Sequence, residues 1–333
     1  MHYSFIIPVY NRPDEIDELL ASLTTQTYRS NYEIVVVEDG STVRCDDVVA
    51  RYRERLNISY YYKDNSGPGS SRNYGMRKAQ GDYFIILDSD CLLPAHYLEQ
   101  VDMYLSEKYV ACFGGPDAAL ASFSDVQKAI NFSMTSFLTT GGIRGASERI
   151  HKFQPRSFNM GISKEAFEAS GGFGNIHPGE DPDLTIRLWN LGFETELFPK
   201  AFVYHKRRID WKRFYIQVTK FGKARPILNQ RYPEYKKLTY WFPFLFMIGL
   251  LTSLFAAVLG IYVGVLLYLL YLLILLVSAT LKEKNIKIGF LTIIATLIQF
   301  YGYGRGFAIS TFKLAVMGVK PEEGMPEMFF KAE

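Results

Sequence analysis

Apolar and polar positions alternate along the first third of the chain in a way that specifies elements before any chemistry is considered. Residues 5–9 (Phe-Ile-Ile-Pro-Val) form a continuous apolar run, and 33–37, 58–62 and 83–87 read as further strands. Between the first two, Ile16, Leu19, Leu20 and Leu23 recur at helical spacing; helices are also predicted over 46–56 and 71–79. Strands separated by helices imply an α/β sheet with mainly parallel strands. Beyond residue 91 the pattern loosens. Gly114-Gly115 follows a possible strand, 127–138 suits a helix, and 139–155, with Gly141, Gly142 and Gly145, suits a mobile loop or lid. A strand over 157–162 and a short helix over 164–169 precede Gly171-Gly172-Phe173, and the chain has no internal repeat or low-complexity tract.

The second half is built differently. Residues 239–280 are almost without charge, too long a stretch for a soluble core helix, and supply two spans of about 20 residues, 240–259 and 262–280, with a tight hairpin near 259–263. Residues 289–310 are a third apolar stretch, but Gln299, Arg305 and several glycines make it a segment that bends, re-enters or crosses. If it crosses, the tail from Lys313 lies on the far side. Lys236 and Lys237 before the hairpin, with Lys282, Lys284 and Lys287 after it, place both hairpin ends in the cytoplasm. Bases greatly outnumber acids over 201–237, and Trp211, Phe214, Tyr215, Val218 and Gly222 share one helical face. That helix suits a membrane surface or the flank of a soluble domain equally. The expected organisation is a catalytic domain over 1–210, a basic interfacial segment over 211–237, membrane helices over 238–312 and a tail over 313–333.

Composition narrows this picture slightly. The net charge of +3 identifies no partner by itself, and no nucleic-acid partner is expected. Cys45, Cys91 and Cys112 are too few and scattered for a disulfide framework, which suits a reducing compartment. Met1 stands two residues before the first strand-like run, so no signal peptide is expected.

Candidate chemistry falls where α/β sheets gather ligands, at the carboxyl ends of strands. Pro8, Val9, Tyr10 and Asn11 follow one strand, Asp39 ends the next, and Asp88-Ser89-Asp90 ends the run over 83–87. Two carboxylates one residue apart suit a hard divalent cation held with substrate phosphates, although an Asp-x-Asp triplet alone is also an ordinary strand exit. Gly67-Pro68-Gly69, followed by Arg72-Asn73, is either a plain turn or a loop that meets a phosphate. Asp39 is a base or ribose acceptor, or simply a turn former. Glu180, Asp181 and Asp183 put three carboxylates at the head of a helix, more than the Asp-Pro helix start needs, and crowding raises at least one pKa, which suits a general base. His205, at the end of a short strand, is a metal ligand, a diphosphate contact or a structural residue; Arg207 and Arg208 suit phosphate or a membrane surface. His2, His96, His151 and His177 form no useful spacing.

Taken in order, Ile7-Pro8-Val9-Tyr10-Asn11, Val37-Glu38-Asp39-Gly40-Ser41, Gly67 through Arg72-Asn73 and Gly75, Asp88-Ser89-Asp90, Gly171-Gly172-Phe173 and Glu180-Asp181 resemble family 2 glycosyltransferases across roughly residues 3–210. The resemblance implies a GT-A (Rossmann-like) catalytic domain and an inverting, nucleotide-sugar-dependent reaction. It implies that Pro8, Val9, Tyr10, Asn11 and Asp39 hold the nucleoside and that Arg72 lies near the nucleotide. Asp88, Ser89 and Asp90 would meet the diphosphate with Mn²⁺ or Mg²⁺, and Asp181, seconded by Glu180, would be the base. Glu38 stands where the family often has Asp. The Gln-x-x-Arg-Trp signature of processive synthases is absent, since Gln217 is followed by Val218-Thr219-Lys220-Phe221. The expectation is single-sugar transfer from a nucleotide diphosphate sugar, a UDP-sugar before a GDP-sugar, to a hydroxyl of a lipid-linked or glycan acceptor. The expected setting is the inner (plasma) membrane, crossed more than once, with a cytoplasmic catalytic domain. Polyprenyl-phosphate sugar synthesis is the nearest rival, and a non-catalytic nucleotide-sugar sensor or membrane scaffold is the rival of another class.

Overall fold

The computed structural model describes residues 1–118, 123–140, 152–206 and 210–330. In chain order the elements are β1 (Tyr3–Val9), α1 (Pro13–Leu23), β2 (Tyr32–Asp39), α2 (Asp46–Ala50), β3 (Ile58–Lys63), α3 (Pro68–Lys78), β4 (Tyr83–Leu87), β5 (Cys91–Leu92), α4 (Tyr97–Glu107), β6 (Cys112–Gly114) and β7 (Asp117–Ala118). After α5 (Asp125–Thr135) and α6 (Phe137–Thr140) come β8 (Asn159–Ser163), α7 (Lys164–Ser170), α8 (Glu180–Asn190), β9 (Thr195–Leu197) and β10 (Val203–His205). The rest is helical: α9 (Trp211–Arg231), α10 (Phe242–Val258), α11 (Val263–Glu283), α12 (Ile286–Thr311) and the short α13 (Pro321–Gly324).

The chain divides into two compact units. The first is a seven-stranded sheet among the described residues, in the order β3-β2-β1-β4-β8-β6-β9, with β5-β10-β7 as a small second sheet. The first four strands are parallel, β8 runs antiparallel to β4 and β6, and β9 is parallel to β6. Continuous apolar runs are what a sheet covered on both faces requires. Phe5, Ile7 and Val9 point to the face covered by α1 and α4, while Ile6, Val35 and Val37 point to the face covered by α3, α7 and α8. The alternation built into β1 therefore specifies both layers of core. Phe329 and Phe330 also belong to this unit, because Phe329 forms an antiparallel bridge with Ile176 and Phe330 N–H donates to Asn175 O (2.9 Å).

The second unit joins α5 and α6 to the C-terminal helices. Leu238–Val258, Val263–Glu283 and Ile286–Val316 are each long and apolar enough to cross a membrane.

Three local expectations change. The helix expected over 46–56 ends at Ala50, and the chain continues in turns to Leu56; of residues 51–55 only Tyr52 packs against the core, the other four being charged. The helix expected over 211–222 continues through Pro226 to Arg231, burying Ile227 and Leu228. The glycines near residue 300 do not interrupt α12. They let neighbours approach: a Cβ on Gly306 would lie 2.2 Å from Thr219 O, and one on Gly302 2.7 Å from Val218 Cγ2. The lid expected over 139–155 lies largely outside the described residues, as do Arg207 and Arg208.

Candidate active site

The ends of β1, β2 and β4 lie side by side, so the polar residues that follow them share one edge of the sheet. Pro8 is half-buried, Val9 buried and Tyr10 exposed, and Asn11 takes a left-handed conformation (φ 53°). Asn11 Oδ1 accepts from Thr42 N (2.8 Å) and Val43 N (2.9 Å), and its own N–H donates to Ser41 Oγ (2.7 Å). The β1 exit is thereby tied to the β2 exit. Glu38, fully buried, accepts from Cys45 N (2.8 Å), Tyr60 OH (3.1 Å) and Ser41 Oγ, so it braces the β2 exit from within.

Asp39 is held by three donors: Lys63 Nζ (2.8 Å), Ser66 N (3.0 Å) and Gly67 N (3.0 Å). Two of these are backbone amides of the glycine turn, and a carboxylate has acceptor capacity beyond three bonds. Gly67 caps α3 with φ 93°, a value that favours glycine. The Phe330 ring lies against this turn, since a Cβ on Gly67 would be 2.4 Å from it.

Arg72 is in the second turn of α3, buried to 3% exposure. Its Nη2 donates to Asp88 Oδ1 (2.6 Å), its Nη1 to Glu180 Oε1 (3.2 Å), and its guanidinium sits 5.3 Å from the Phe173 ring centre. Burial works against its charge, but Asp88 and Glu180 more than offset this and hold the group firmly cationic. A strand end and a helix start far apart in sequence are joined through this one side chain.

Asp90 is paired with His205. The register of β10 against β5 sets His205 opposite Cys91, and His205 Nε2 comes to 3.1 Å from Asp90 Oδ1 while its ring stacks on Phe158 (4.7 Å). Donor atoms of Asp90, Cys91 and His205 lie within 4.8 Å of one another. Cys91 is buried and its Sγ donates to Phe158 O (3.4 Å), which leaves the carboxylate and imidazole as the useful pair. The carboxylate suits Mn²⁺ or Mg²⁺, while the imidazole nitrogen suits Mn²⁺ better than the oxygen-seeking Mg²⁺. Arg12 Nη1 lies 3.8 Å from Asp90 Oδ2 and is also bonded to Glu15, which Ser89 Oγ approaches at 3.5 Å.

At the start of α8 the cap is Gly179 (φ 128°), so Asp181 lies inside the first turn rather than at the N-cap expected from Asp-Pro. Glu180 Oε1 accepts from Arg72 and contacts His177 Nδ1 (2.9 Å), while Oε2 accepts from Gly179 N (2.9 Å). Burial alone would raise its pKa, but His177 and Arg72 hold Glu180 well below the usual carboxylate range. Asp181 goes the other way: burial and the neighbouring Glu180 anion push it up to about 6, against opposition from Arg72, Arg156 and Ser157. Among the described residues its buried Oδ1 has no hydrogen-bond partner. The surroundings therefore drive two adjacent carboxylates in opposite directions, Glu180 toward the anion and Asp181 toward a raised pKa.

The family model "Glycosyl transferase family 2" covers residues 4–171, half of the chain, and so takes in the family 2 pattern from Ile7 to Gly171 but not Gly172-Phe173 or Glu180-Asp181. The chain belongs to glycosyltransferase family 2. Among relatives, an uncharacterized glycosyltransferase of Rickettsia bellii is 38% identical over 104 residues, covering 31% of this chain and 15% of that protein. The Staphylococcus aureus poly(ribitol-phosphate) beta-N-acetylglucosaminyltransferase TarS is 34% identical over 112 residues, 33% of this chain and 20% of TarS. The chain thus spans a minor share of these relatives' length. The structure of TarS 1–349 in complex with UDP-GlcNAc superposes with a TM-score of 0.50 at 21% identity, over 69% of this chain and 67% of that one. A Pyrobaculum calidifontis mannosyltransferase in complex with GDP-Man and Mn²⁺ gives a TM-score of 0.54 at 18% identity, over 71% and 65%. These likenesses establish the GT-A-like fold of this family 2 chain.

Sequence reasoning missed four contributors. His177 formed no spacing, yet it secures Glu180; its Glu180 contact outweighs burial and raises its pKa. Arg12, Lys63 and Phe330 gave no signal either, although Arg12 follows the Asn11 turn and Lys63 ends a strand, positions from which both were recoverable.

Proposed function

We propose that this family 2 chain transfers one sugar from a nucleoside diphosphate sugar to an acceptor hydroxyl with inversion at the anomeric carbon. The observation that carries the reading is the buried Arg72, which bonds Asp88 at 2.6 Å on one side and Glu180 at 3.2 Å on the other. It joins the carboxylates suited to the donor diphosphate to the helix start that carries the candidate base.

In this reading Pro8, Val9, Tyr10, Asn11 and Asp39 take the nucleoside, with Asp39 oriented by Lys63 and the Gly67 turn. Asp88, Asp90 and His205 would hold Mn²⁺ or Mg²⁺, with Ser89 and Arg12 beside them. When bound, such a cation neutralises the diphosphate as negative charge develops on it. Asp181 accepts the proton of the acceptor hydroxyl, the acceptor oxygen forms a bond to C1, and the C1–O bond to the diphosphate breaks with its electron pair leaving on the nucleoside diphosphate. Glu180 stays ionised and keeps the Asp181 pKa high. An acceptor that is already a phosphate anion needs no base, so the Asp181 environment favours a hydroxyl acceptor over a polyprenyl phosphate. The donors bound in the TarS and P. calidifontis structures support a UDP- or GDP-sugar, and we favour UDP. The apolar helices support membrane anchoring; in this reading the enzyme sits in the plasma membrane with its catalytic domain in the cytoplasm, in keeping with the lysines that flank the hairpin, and acts on a lipid-linked or glycan acceptor.

The test is nucleoside diphosphate release by detergent-solubilised protein, with Mn²⁺ or Mg²⁺, a panel of UDP- and GDP-sugars and lipid-linked saccharide acceptors. Asp181→Asn should lower turnover by about 10²–10⁴, the usual contribution of a general base. Full turnover in that variant would sink the assignment of the base, and silence across the panel would favour a sensor or scaffold.

A further inference from the structure

The third apolar helix meets the hairpin only at its base. Within the hairpin, Phe246 packs on Tyr268 (4.8 Å) and Tyr268 OH donates to Phe246 O (2.8 Å), while nearer the tip Gly264 abuts Ser253. On α12, Gly289 lies against Leu276 and Thr280, Phe300 against Phe246 (4.8 Å) and Phe242 (5.6 Å), Gly304 against Phe244, and Phe307 against Trp241 (4.8 Å). As α12 advances from 300 to 307, its partner on α10 retreats from 246 to 241. The helix is therefore leaving the hairpin tip, where Phe255, Val258, Leu266 and Leu267 stay exposed.

Its other flanks are polar helices. Gly306 is in close contact with Thr219 of α9, Ser310 Oγ donates to Lys223 O (2.9 Å), Ser133 Oγ of α5 donates to Gln299 Oε1 (2.9 Å), and Lys287 pairs with Asp125 (2.8 Å). A crossing α12 would draw α9, with Lys212, Arg213, Lys220 and Lys223, into hydrocarbon beside it. The exposed positions of α12 and of the residue after it, Ile286, Lys287, Phe290, Ile294, Tyr301, Arg305 and Phe312, fall on one stripe. Downstream the chain returns to α9, the helix before the hairpin, through Arg231–Glu322 (3.3 Å) and Lys223–Glu327 (2.7 Å). It then pairs Phe329 with Ile176 of the sheet unit. A segment bonded to residues that precede the hairpin must lie on their side of the membrane, so the number of crossings is even.

We propose that the chain crosses the bilayer twice, through α10 and α11, and that α12 lies along the surface with its Phe290–Ile294–Tyr301–Phe312 stripe at the boundary between headgroups and acyl chains. The occupant of this face is an anionic lipid surface. The stripe continues from the apolar hairpin, and Lys282 and Lys284 at the end of α11, with Arg305 in the stripe, lie exposed where phosphate headgroups would sit.

Nitroxide labels on Phe290→Cys, Ile294→Cys, Tyr301→Cys and Phe312→Cys, one per variant, test this in phosphatidylcholine–phosphatidylglycerol vesicles by collision with oxygen and a nickel chelate. Cys45, Cys91 and Cys112 are buried and should not compete for label. The expected result is one shallow depth for all four positions. A crossing helix would set residues 290 and 301 about 16 Å apart in depth, at 1.5 Å per residue, and that result overturns the proposal. Labels shielded from both reagents would mean that protein, such as a second copy, covers the stripe, which also overturns it. Impermeant maleimide on cells supplies the parity: Lys284→Cys and Lys320→Cys should share one side and Ile261→Cys the other. Lys320→Cys reacting with Ile261→Cys overturns it too, and none of these readouts depends on transferase activity.

Discussion

His205 Nε2 lies 3.1 Å from Asp90 Oδ1 because β10 pairs antiparallel with β5 and puts His205 opposite Cys91. The imidazole closes around the second carboxylate of Asp88-Ser89-Asp90. Removing either partner should weaken Mn²⁺ binding about tenfold or more, since each supplies one of few protein donors. Manganese titration followed by electron paramagnetic resonance, with UDP present, would check this in His205→Ala and Asp90→Ala. Unchanged affinity in His205→Ala would make the histidine purely structural.

Arg72 has a different liability. Truncation to Met leaves Glu180 buried with one cationic partner fewer and Asp88 without its guanidinium, and breaking a buried pair from one side costs about 3–5 kcal/mol. Arg72→Met should therefore lower the thermal midpoint of the solubilised protein. Arg72→Lys should recover little, because an ammonium cannot reproduce the forked geometry that reaches both acids.

Asp181 predicts opposite signs for activity and stability. Activity that needs its carboxylate should rise with pH through about 6, and Glu180→Gln, which removes the neighbouring anion, should move that limb to lower pH. His177, Arg72, Arg156 and Ser157 also face this pair, so the shift is read against each variant's own plateau. For stability, a carboxyl with a raised folded-state pKa stabilises most below its unfolded pKa and loses that contribution as pH rises through the folded value. Asp181→Asn should thus be more stable than the parent at pH 8, with the gap closing by pH 4, as measured by thermal unfolding at both pH values.

Phe330 touches two parts of the site at once. Its ring lies on the Gly67 turn behind Asp39, and 5.9 Å from the ring centre of His177, which secures Glu180. Phe330→Ala should raise KM for the donor several-fold, to about tenfold, with a smaller effect on kcat, and Phe330→Tyr should restore it. A lower thermal midpoint with unchanged KM would reduce Phe330 to packing.

Much of the fold was legible because its causes are local. Continuous apolar runs at β1, β2 and β4 announce strands buried on both faces, the Ile16–Leu19–Leu20–Leu23 spacing announces α1, and ligand-bearing residues at strand ends follow from the parallel sheet. The hairpin was equally plain, since hydropathy alone sets α10 and α11 with a turn at 259–262. The composition of α12 also made it long and apolar enough to cross, but what covers it was not encoded locally.

Tertiary structure decided the rest, because each of these features needs a partner that periodicity does not specify. The alternation of β1 determines that Ile6 is core, but nothing near His177 names Glu180 as its acceptor, and nothing near Arg72 says that one guanidinium will serve both Asp88 and Glu180. The divergence of Glu180 and Asp181 is likewise a matter of surroundings, since adjacent carboxylates of nearly equal intrinsic acidity separate only when burial and charge differ around each. Sequence determined which residues stand at the strand ends and which runs are apolar; long-range packing determined which acid is held charged, which histidine meets Asp90, and which face of α12 remains uncovered.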